Sequence, residues 1–270
     1  MKPFSQWSEF HKRVASSIVL IPVAILCLYY GQWLYNTLIL LVMVGLVWEG
    51  ETLLGQKMTG LRAVLFLLWP LAGGLIALKG DYLSLLYLCG GALLFGFQAW
   101  LPVIISIVGG TSLLLLRMRP DGLLEVFFVL GTVIASDSGA YMVGRLIGGP
   151  KLAPKISPGK TISGSIGGIC TAILLSAVIV RLGLGSWSIE ALICGAILSM
   201  AAQGGDLLES AFKRRLGVKD SGKLIPGHGG LLDRFDGLLA AAPLAAIFAY
   251  LSGPHPFWQF WHYFEQVFGR

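Results

Sequence analysis

Nine apolar runs, each close to membrane-spanning length, limit what this chain can fold into. They fall at 14–31, 36–54, 62–79, 82–98, 100–117, 122–147, 163–182, 188–212 and 234–252. A helix needs roughly 20 residues to cross the hydrocarbon of a bilayer, and an all-helical span satisfies its own backbone there. With 56% hydrophobic and only 13% charged residues, an ordinary soluble domain is excluded. The expected fold is all-α: a polytopic integral membrane helical bundle of about nine transmembrane helices. The stretch 82–117 is too long for one upright helix and contains Gly90, Gly91 and Gly96, so it is divided near Trp100–Pro102.

Charge then sets orientation. The loops rich in Lys and Arg are 1–13, 55–62, 148–162 and 213–223. Nine spans place all four on one side, the cytoplasmic one by the positive-inside rule, and leave Arg117 and Arg119 on the other. The net charge of +6 resides in loops between apolar spans, so lipid head groups and phosphates are the expected partners, not nucleic acid. Lys2, Lys12 and Arg13 precede the first run without a small-residue cleavage site, which reads as an uncleaved first span. Cys27, Cys89, Cys170 and Cys194 lie in apolar runs without CxxC spacing and ask for neither zinc nor a disulfide. Two aromatic ends read as interfacial anchors: Phe4, Trp7 and Phe10, and the series Phe257, Trp258, Phe260, Trp261, Tyr263 and Phe264.

Against this apolar background three polar constellations stand out. Asp137, Tyr141 and Arg145 are spaced i, i+4, i+8 and line one helical face. Ionisable groups inside a span are costly, so they mark a functional site or an internal Asp–Arg pair. The loop 148–168 carries Lys151, Lys155 and Lys160 without acidic neighbours, with Ser157, Thr161, Ser163 and Ser165 beside them. Cations and hydroxyls held by Pro and Gly turns suit a polyphosphate. The Gly159–Lys160–Thr161 triplet is not a P-loop, because Pro154 stands where the first glycine belongs and no strand is expected before it.

The densest constellation runs from Ser210 to Asp236. It sets Lys213, Arg214, Arg215, Lys219 and Lys223 against Asp220, Asp233 and Asp236, with Pro226, Gly227, Gly229 and Gly230 between. Asp206, Glu209 or Ser210, and Lys213 share a helical face, and Asp233 and Asp236 are i, i+3 at the start of the last span. Such carboxylates suit one or two Mg²⁺ ions gripped against substrate phosphates. His228 is a candidate base or, by its type, a structural hydrogen-bonding residue.

These residues resemble the CTP:phosphatidate cytidylyltransferase (CDP-diacylglycerol synthase) family. The family signature is matched, with every spacing kept, by Ser210, Phe212, Lys213, Arg214, Lys219, Asp220, Pro226, His228, Gly229, Gly230, Asp233, Arg234, Phe235 and Asp236. Asp137, Gly139, Ala140, Tyr141, Gly144 and Arg145 also look like the family, as do Pro154, Lys155, Ser157, Pro158, Lys160, Thr161, Gly164, Gly167, Gly168, Gly205 and Asp206. Residues 130–250 carry the resemblance strongly and the N-terminal half only by hydropathy. One position departs: the family usually has Glu two residues after Lys160–Thr161, where this chain has Ser163.

The resemblance implies transfer of CMP from CTP to phosphatidate, giving CDP-diacylglycerol and pyrophosphate. It implies Mg²⁺ on Asp206, Asp233 and Asp236, with Lys213 also catalytic. Asp137, Tyr141, Arg145, Lys155, Ser157, Lys160, Thr161, Arg214, Lys219, His228 and Arg234 are the expected substrate contacts. A homodimer is implied as well. Helices of 1–121 are expected to anchor the chain and to offer dimer contacts, and 122–270 to form the catalytic region, with cytoplasmic loops 148–162 and 213–233. A bacterial inner membrane, with the site facing the cytoplasm, is the expected location. Two other readings are a CTP-dependent lipid kinase and an ion-coupled transporter with Asp137, Arg145 and Asp206 along an ion path. The second is disfavoured, because the polar groups sit at the cytoplasmic ends of spans and no inverted repeat is visible.

Overall fold

Long apolar runs interrupted by Gly, Pro and charged loops give helices with sharp ends. A computed structural model describes residues 9–222, 224–225, 227 and 229–261. Among these are nine α-helices: α1 (Glu9–Tyr30), α2 (Gln32–Leu53), α3 (Gly60–Leu78), α4 (Tyr82–Gly91), α5 (Phe97–Met118), α6 (Gly122–Ile147), α7 (Ile162–Leu184), α8 (Ile189–Arg215) and α9 (Leu232–Leu251). Seven of them, α2, α3 and α5–α9, are long and apolar enough to cross a membrane. The apolar stretches Val14–Tyr30 and Tyr82–Phe95 are shorter. The all-α, polytopic membrane architecture is therefore as expected.

The break in 82–117 comes earlier than the sequence suggests. It falls at Gly96, whose φ of 97° suits glycine and ends the 3-10 turn Ala92–Phe95. Pro102 lies inside α5. Two indoles secure the end of α4: Trp69 Nε1 donates to Leu88 O and Trp100 Nε1 to Cys89 O, both at 2.9 Å. The first is a second bond on a carbonyl that also accepts from Ala92 N.

The chain forms two compact units. The first comprises residues 1–114 and 216–235. Its centre is α2, which buries Tyr35, Ile39, Met43, Leu46, Val47 and Gly50 on one helical face. Tyr35 Oη donates to Leu113 O (3.2 Å) and Ser106 Oγ to Met43 O (2.7 Å). A Cβ on Gly74 or Gly110 would come within 2.2 Å of Leu40 or Met43, so small residues set the helix spacing.

The second unit comprises residues 115–215 and 236–270. Here α6 and α7 pack backbone to backbone. A Cβ on Gly164 would lie 2.7 Å from Ala140 O, and one on Gly168 2.6 Å from Ser136 O. Hydroxyls cross the interfaces: Ser136 to Ser199 at 2.8 Å, and Thr171 to Ala135 O at 2.9 Å.

Arg119, which the parity of the spans leaves opposite the basic loops, is an internal clasp. It pairs with buried Glu125 (2.9 Å) and donates to Ala249 O (2.9 Å) and Ser252 Oγ (3.2 Å). Glu125 in turn accepts from Phe257 N (3.1 Å). The aromatic end is not a surface anchor at Phe257 and Trp258. Both are fully buried, with Trp258 stacked on Phe128 at 5.0 Å, because burying large rings against each other outweighs lying at an interface. Phe4, Trp7, Tyr263 and Phe264 lie outside the described residues. The loop 148–162 is no simple loop. It folds into an antiparallel hairpin, β1 (Lys151–Ala153) and β2 (Ser157–Thr161), with Lys151 opposite Thr161 and Ala153 opposite Ser157. A strand does precede the Gly159–Lys160–Thr161 triplet, which itself lies in β2.

Candidate active site

The hairpin closes one side of a cavity of about 620 Å³ within the second unit. Gly148 and Gly149, with φ of 67° and 104°, turn the chain out of α6 and into β1. Ile162 N then bonds Pro150 O (3.0 Å), and Ser163 Oγ donates to Gly148 O, so the exit of α6 is tied to the entry of α7. Ser163 thus has a structural task where the family usually has Glu. Thr161 is buried and caps α7, its Oγ1 accepting from Gly164 N at 3.1 Å.

Of the residues expected from the sequence, Asp137, Tyr141, Arg145, Lys160, Thr161 and Asp206 line the cavity. The i, i+4, i+8 face of α6 therefore points as its spacing requires. Asp137 and Arg145 do not pair with each other; Arg145 Nη1 donates to Tyr141 Oη at 2.8 Å. Lys160 Nζ forms an ion pair with Asp206 Oδ2, and Ser210 Oγ lies 3.4 Å from Asp206 Oδ1. Asp137, Asp206 and Asp236 are within Coulombic range of one another. Lys213 pairs with Glu209 one turn along α8 (2.6 Å), and Arg214 Nε donates to Ile156 O in the hairpin turn (3.3 Å). Lys155 is exposed in that turn and Ser157 is half-buried in β2; neither lines the cavity.

Lys151, one of the loop cations suited to a polyphosphate, also lines the wall, and Gly148, Gly149 and Gln203 join it without having been expected. Gln203, on α8, is a hub: its Nε2 donates to Ser165 O (3.2 Å) and its Oε1 accepts from Ser165 Oγ (2.5 Å). Its position one turn before Asp206, polar within an apolar run, was the available signal.

The signature segment 216–235 belongs to the first unit. Asp233 Oδ2 accepts from Ser221 N (3.1 Å) and Gly230 N (3.0 Å), and a short bridge joins Ile225 to Gly229. Lys219 and Arg234 are exposed. His228 lies outside the described residues, as do Lys223 and Pro226. The segment is also fastened to α2. Glu49, 4% exposed, accepts from Leu231 N (2.8 Å), Leu232 N (2.9 Å) and the Ser221 hydroxyl. Glu49 was overlooked; a Glu inside an apolar run, with Glu51 two residues on, was its signal.

A profile of the cytidylyltransferase family matches residues 11–252. The chain belongs to the cytidylyltransferase family. Among curated members, the phosphatidate cytidylyltransferase of Brucella suis is 34% identical over 255 residues, covering 89% of this chain and 93% of that one. Those of Staphylococcus epidermidis and Staphylococcus saprophyticus are 42% and 43% identical over 177 and 176 residues, each covering 64% of this chain and 67% of the relative. Family membership makes the chain a nucleotidyltransferase.

Proposed function

We propose that this chain transfers CMP from CTP to phosphatidate, giving CDP-diacylglycerol and pyrophosphate. The supporting observation is the cavity, whose wall sets Arg145, Lys151 and Lys160 beside Asp137 and Asp206. A phosphatidate phosphate oxygen forms the new bond to the α-phosphorus of CTP. The bond from that phosphorus to the oxygen bridging to the β-phosphate breaks, and pyrophosphate leaves with the electron pair. The barrier is largely repulsion and positioning, so cations and geometry supply most of the catalysis. The attacking oxygen is already ionised at neutral pH and needs no strong base, which leaves His228 without an obligatory proton to take.

Arg145, Lys151 and Lys160 neutralise the triphosphate, and Tyr141 orients the Arg145 guanidinium. Lys213 and Arg214 extend this cationic surface along α8, while Lys155 and Ser157 shape the hairpin beside it. Lys219 and Arg234 are phosphate-binding groups of the signature segment.

The donors present suit Mg²⁺, which would stabilise the charge developing on the phosphates. Asp206 and Asp236 would hold it, with Asp137 near. Among the described residues, no group of three or more His, Cys, Asp or Glu could hold a metal ion. Mg²⁺ commonly uses one or two carboxylates and takes its other ligands from water and substrate phosphates. Asp206 holds the Lys160 ammonium, a cation in the place a metal would take. Asp233, the third expected ligand, accepts from the Ser221 and Gly230 amides. A second metal ion, a homodimer and a bacterial inner membrane with the 148–162 and 213–223 loops in the cytoplasm complete the proposal; the shared basic charge of those loops supports the orientation.

The test is purified protein in phosphatidate liposomes with Mg²⁺ and CTP labelled at the α-phosphate, followed by lipid extraction. Label in the lipid, lost with EDTA, is expected. Lipid labelled from the γ-phosphate instead would replace the transferase with a lipid kinase.

A further inference from the structure

We infer that Glu49 of α2 is the positioning residue of the signature segment: its buried carboxylate holds both ends of the 221–232 stretch and so aims the first turn of α9. Burying a carboxylate costs several kcal/mol unless charge-assisted hydrogen bonds satisfy it. All three donors on Glu49 come from this one segment, 172 to 183 residues away in sequence. The Leu231 and Leu232 amides belong to the helix start, where N–H groups lack intrahelical partners and a negative charge is favoured. Glu49 therefore caps a helix to which it does not belong.

The slot around the carboxylate is fitted to it. A Cβ on Gly222 would lie 2.6 Å from Glu49 Oε2, and one on Gly230 2.2 Å from Oε1 and 1.9 Å from Ser221 Oγ. Glycine at both positions lets the backbone close on the acid. Asp233 holds the same two ends through the Ser221 and Gly230 amides. Two carboxylates thus pin a loop whose middle carries Pro226, His228 and Gly229 of the signature.

The link to catalysis rests on the proposed transferase function; the latch itself does not. The test joins two readouts on detergent-purified protein: tryptic cleavage after Arg215 or Lys219, and steady-state CMP transfer. Loss of a charge-assisted tie raises the open population of the loop, so Glu49→Ala is expected to speed cleavage at least about tenfold. Displacing reacting groups by about 1 Å costs roughly 10²-fold in rate, so kcat is expected to fall by about that factor, with KM for CTP within about twofold. Should Glu49→Ala fail to fold, Glu49→Gln and Ser221→Ala serve in its place. Gln turns an N–H against the Leu231 amide, and Ala removes one donor, so each is expected to speed cleavage by a smaller factor. Folded Glu49→Gln and Ser221→Ala proteins cut at the wild-type rate would overturn the latch. Faster cleavage with unchanged kcat would overturn its positioning role. A wild-type protein without CMP transfer would sink the transferase reading, while the cleavage contrast would still decide the latch.

Discussion

In the cavity of the second unit, Asp137, Arg145 and Lys151 stand exposed on the wall, whereas in the first unit the carboxylates of Glu49 and Asp233 are turned onto backbone N–H groups. One region keeps its charges available for a ligand; the other spends them on holding its own loop. The difference separates two reasons for a charge to persist in an oily chain. A wall charge is retained for what it binds, so neutralising it should alter activity and spare stability. A charge bonded to backbone is retained for shape, so removing it should loosen structure first and activity through structure.

The largest effect expected is at the wall. Asp206→Asn should lower CMP transfer by about 10³-fold, the scale of a lost electrostatic contact in a transition state, with the thermal midpoint little changed. The liposome assay reads the first quantity and differential scanning fluorimetry the second. A protein that is equally active, or that unfolds, would place Asp206 with the shape-holding group. Gly230→Ala tests the other region. Its methyl would meet Ser221 Oγ and Glu49 Oε1 well inside contact distance, so the loop must move. Overpacking of this kind costs about 1–3 kcal/mol, and activity should fall by about 10²-fold by displacement. Tryptic sensitivity at 215–219 should rise with it. Loss of activity without that rise would show that the loop tolerates the methyl and that Gly230 acts on the ligand instead.

Glu51 offers an internal contrast with Glu49. It is fully buried, and among the described residues neither of its oxygens has a hydrogen-bond partner, with Arg62 only within Coulombic range. A buried carboxylate without hydrogen bonds contributes little or is unfavourable. Glu51→Gln should therefore leave the thermal midpoint unchanged or raise it by a few degrees, a shift of about 1 kcal/mol or less. Glu49→Gln should lower it. A drop of similar size for both would mean that Glu51 is also tied to something, and the contrast would fail.

The spans and the signature were legible because each rests on local information. Hydropathy over about 20 residues decides a span, and fixed spacing from Ser210 to Asp236 decides the family resemblance. The face of α6 was legible too, since i, i+4, i+8 is helical geometry. What stayed hidden depends on residues distant in the chain. Glu49 meets Leu232 across 183 positions, and no window shows that. The hairpin was missed because Ser157–Pro158–Gly159–Lys160–Thr161 is poor in strand formers and holds both residues that usually disrupt strands. Its pairing comes from the glycine turn after α6 and the Thr161 cap on α7. Trp258 read as an interfacial anchor by type, and burial against Phe128 reversed that reading; the Arg119–Glu125 pair, like Glu49, is a contact that charge patterning alone does not show.

Asp81 provides the smallest effect and the cleanest control. Like Glu49, it is a carboxylate on the first amides of a helix, with Oδ1 accepting from Ser84 N at 3.0 Å as the N-cap of α4. Unlike Glu49, it is fully exposed and local to its helix. The hydrogen bonds from Ser84 hold its carboxyl below the ordinary aspartate value. The sign follows: the charged form is favoured in the folded chain, so its contribution is complete above the unfolded value. It is lost as pH falls through the lower, folded one, below about pH 4. Water and salt screen it. Asp81→Asn keeps a capping oxygen but cannot titrate. The wild type should thus be marginally more stable than Asp81→Asn at pH 6, with the gap closing toward pH 3 and shrinking in high salt. Paired thermal scans at the two pH values measure it. A gap that persists at pH 3 would mean that the cap acts through shape alone. Asp81 would then differ from Glu49 in burial only, and charge would cease to explain why the α9 start needs an acid supplied from another helix.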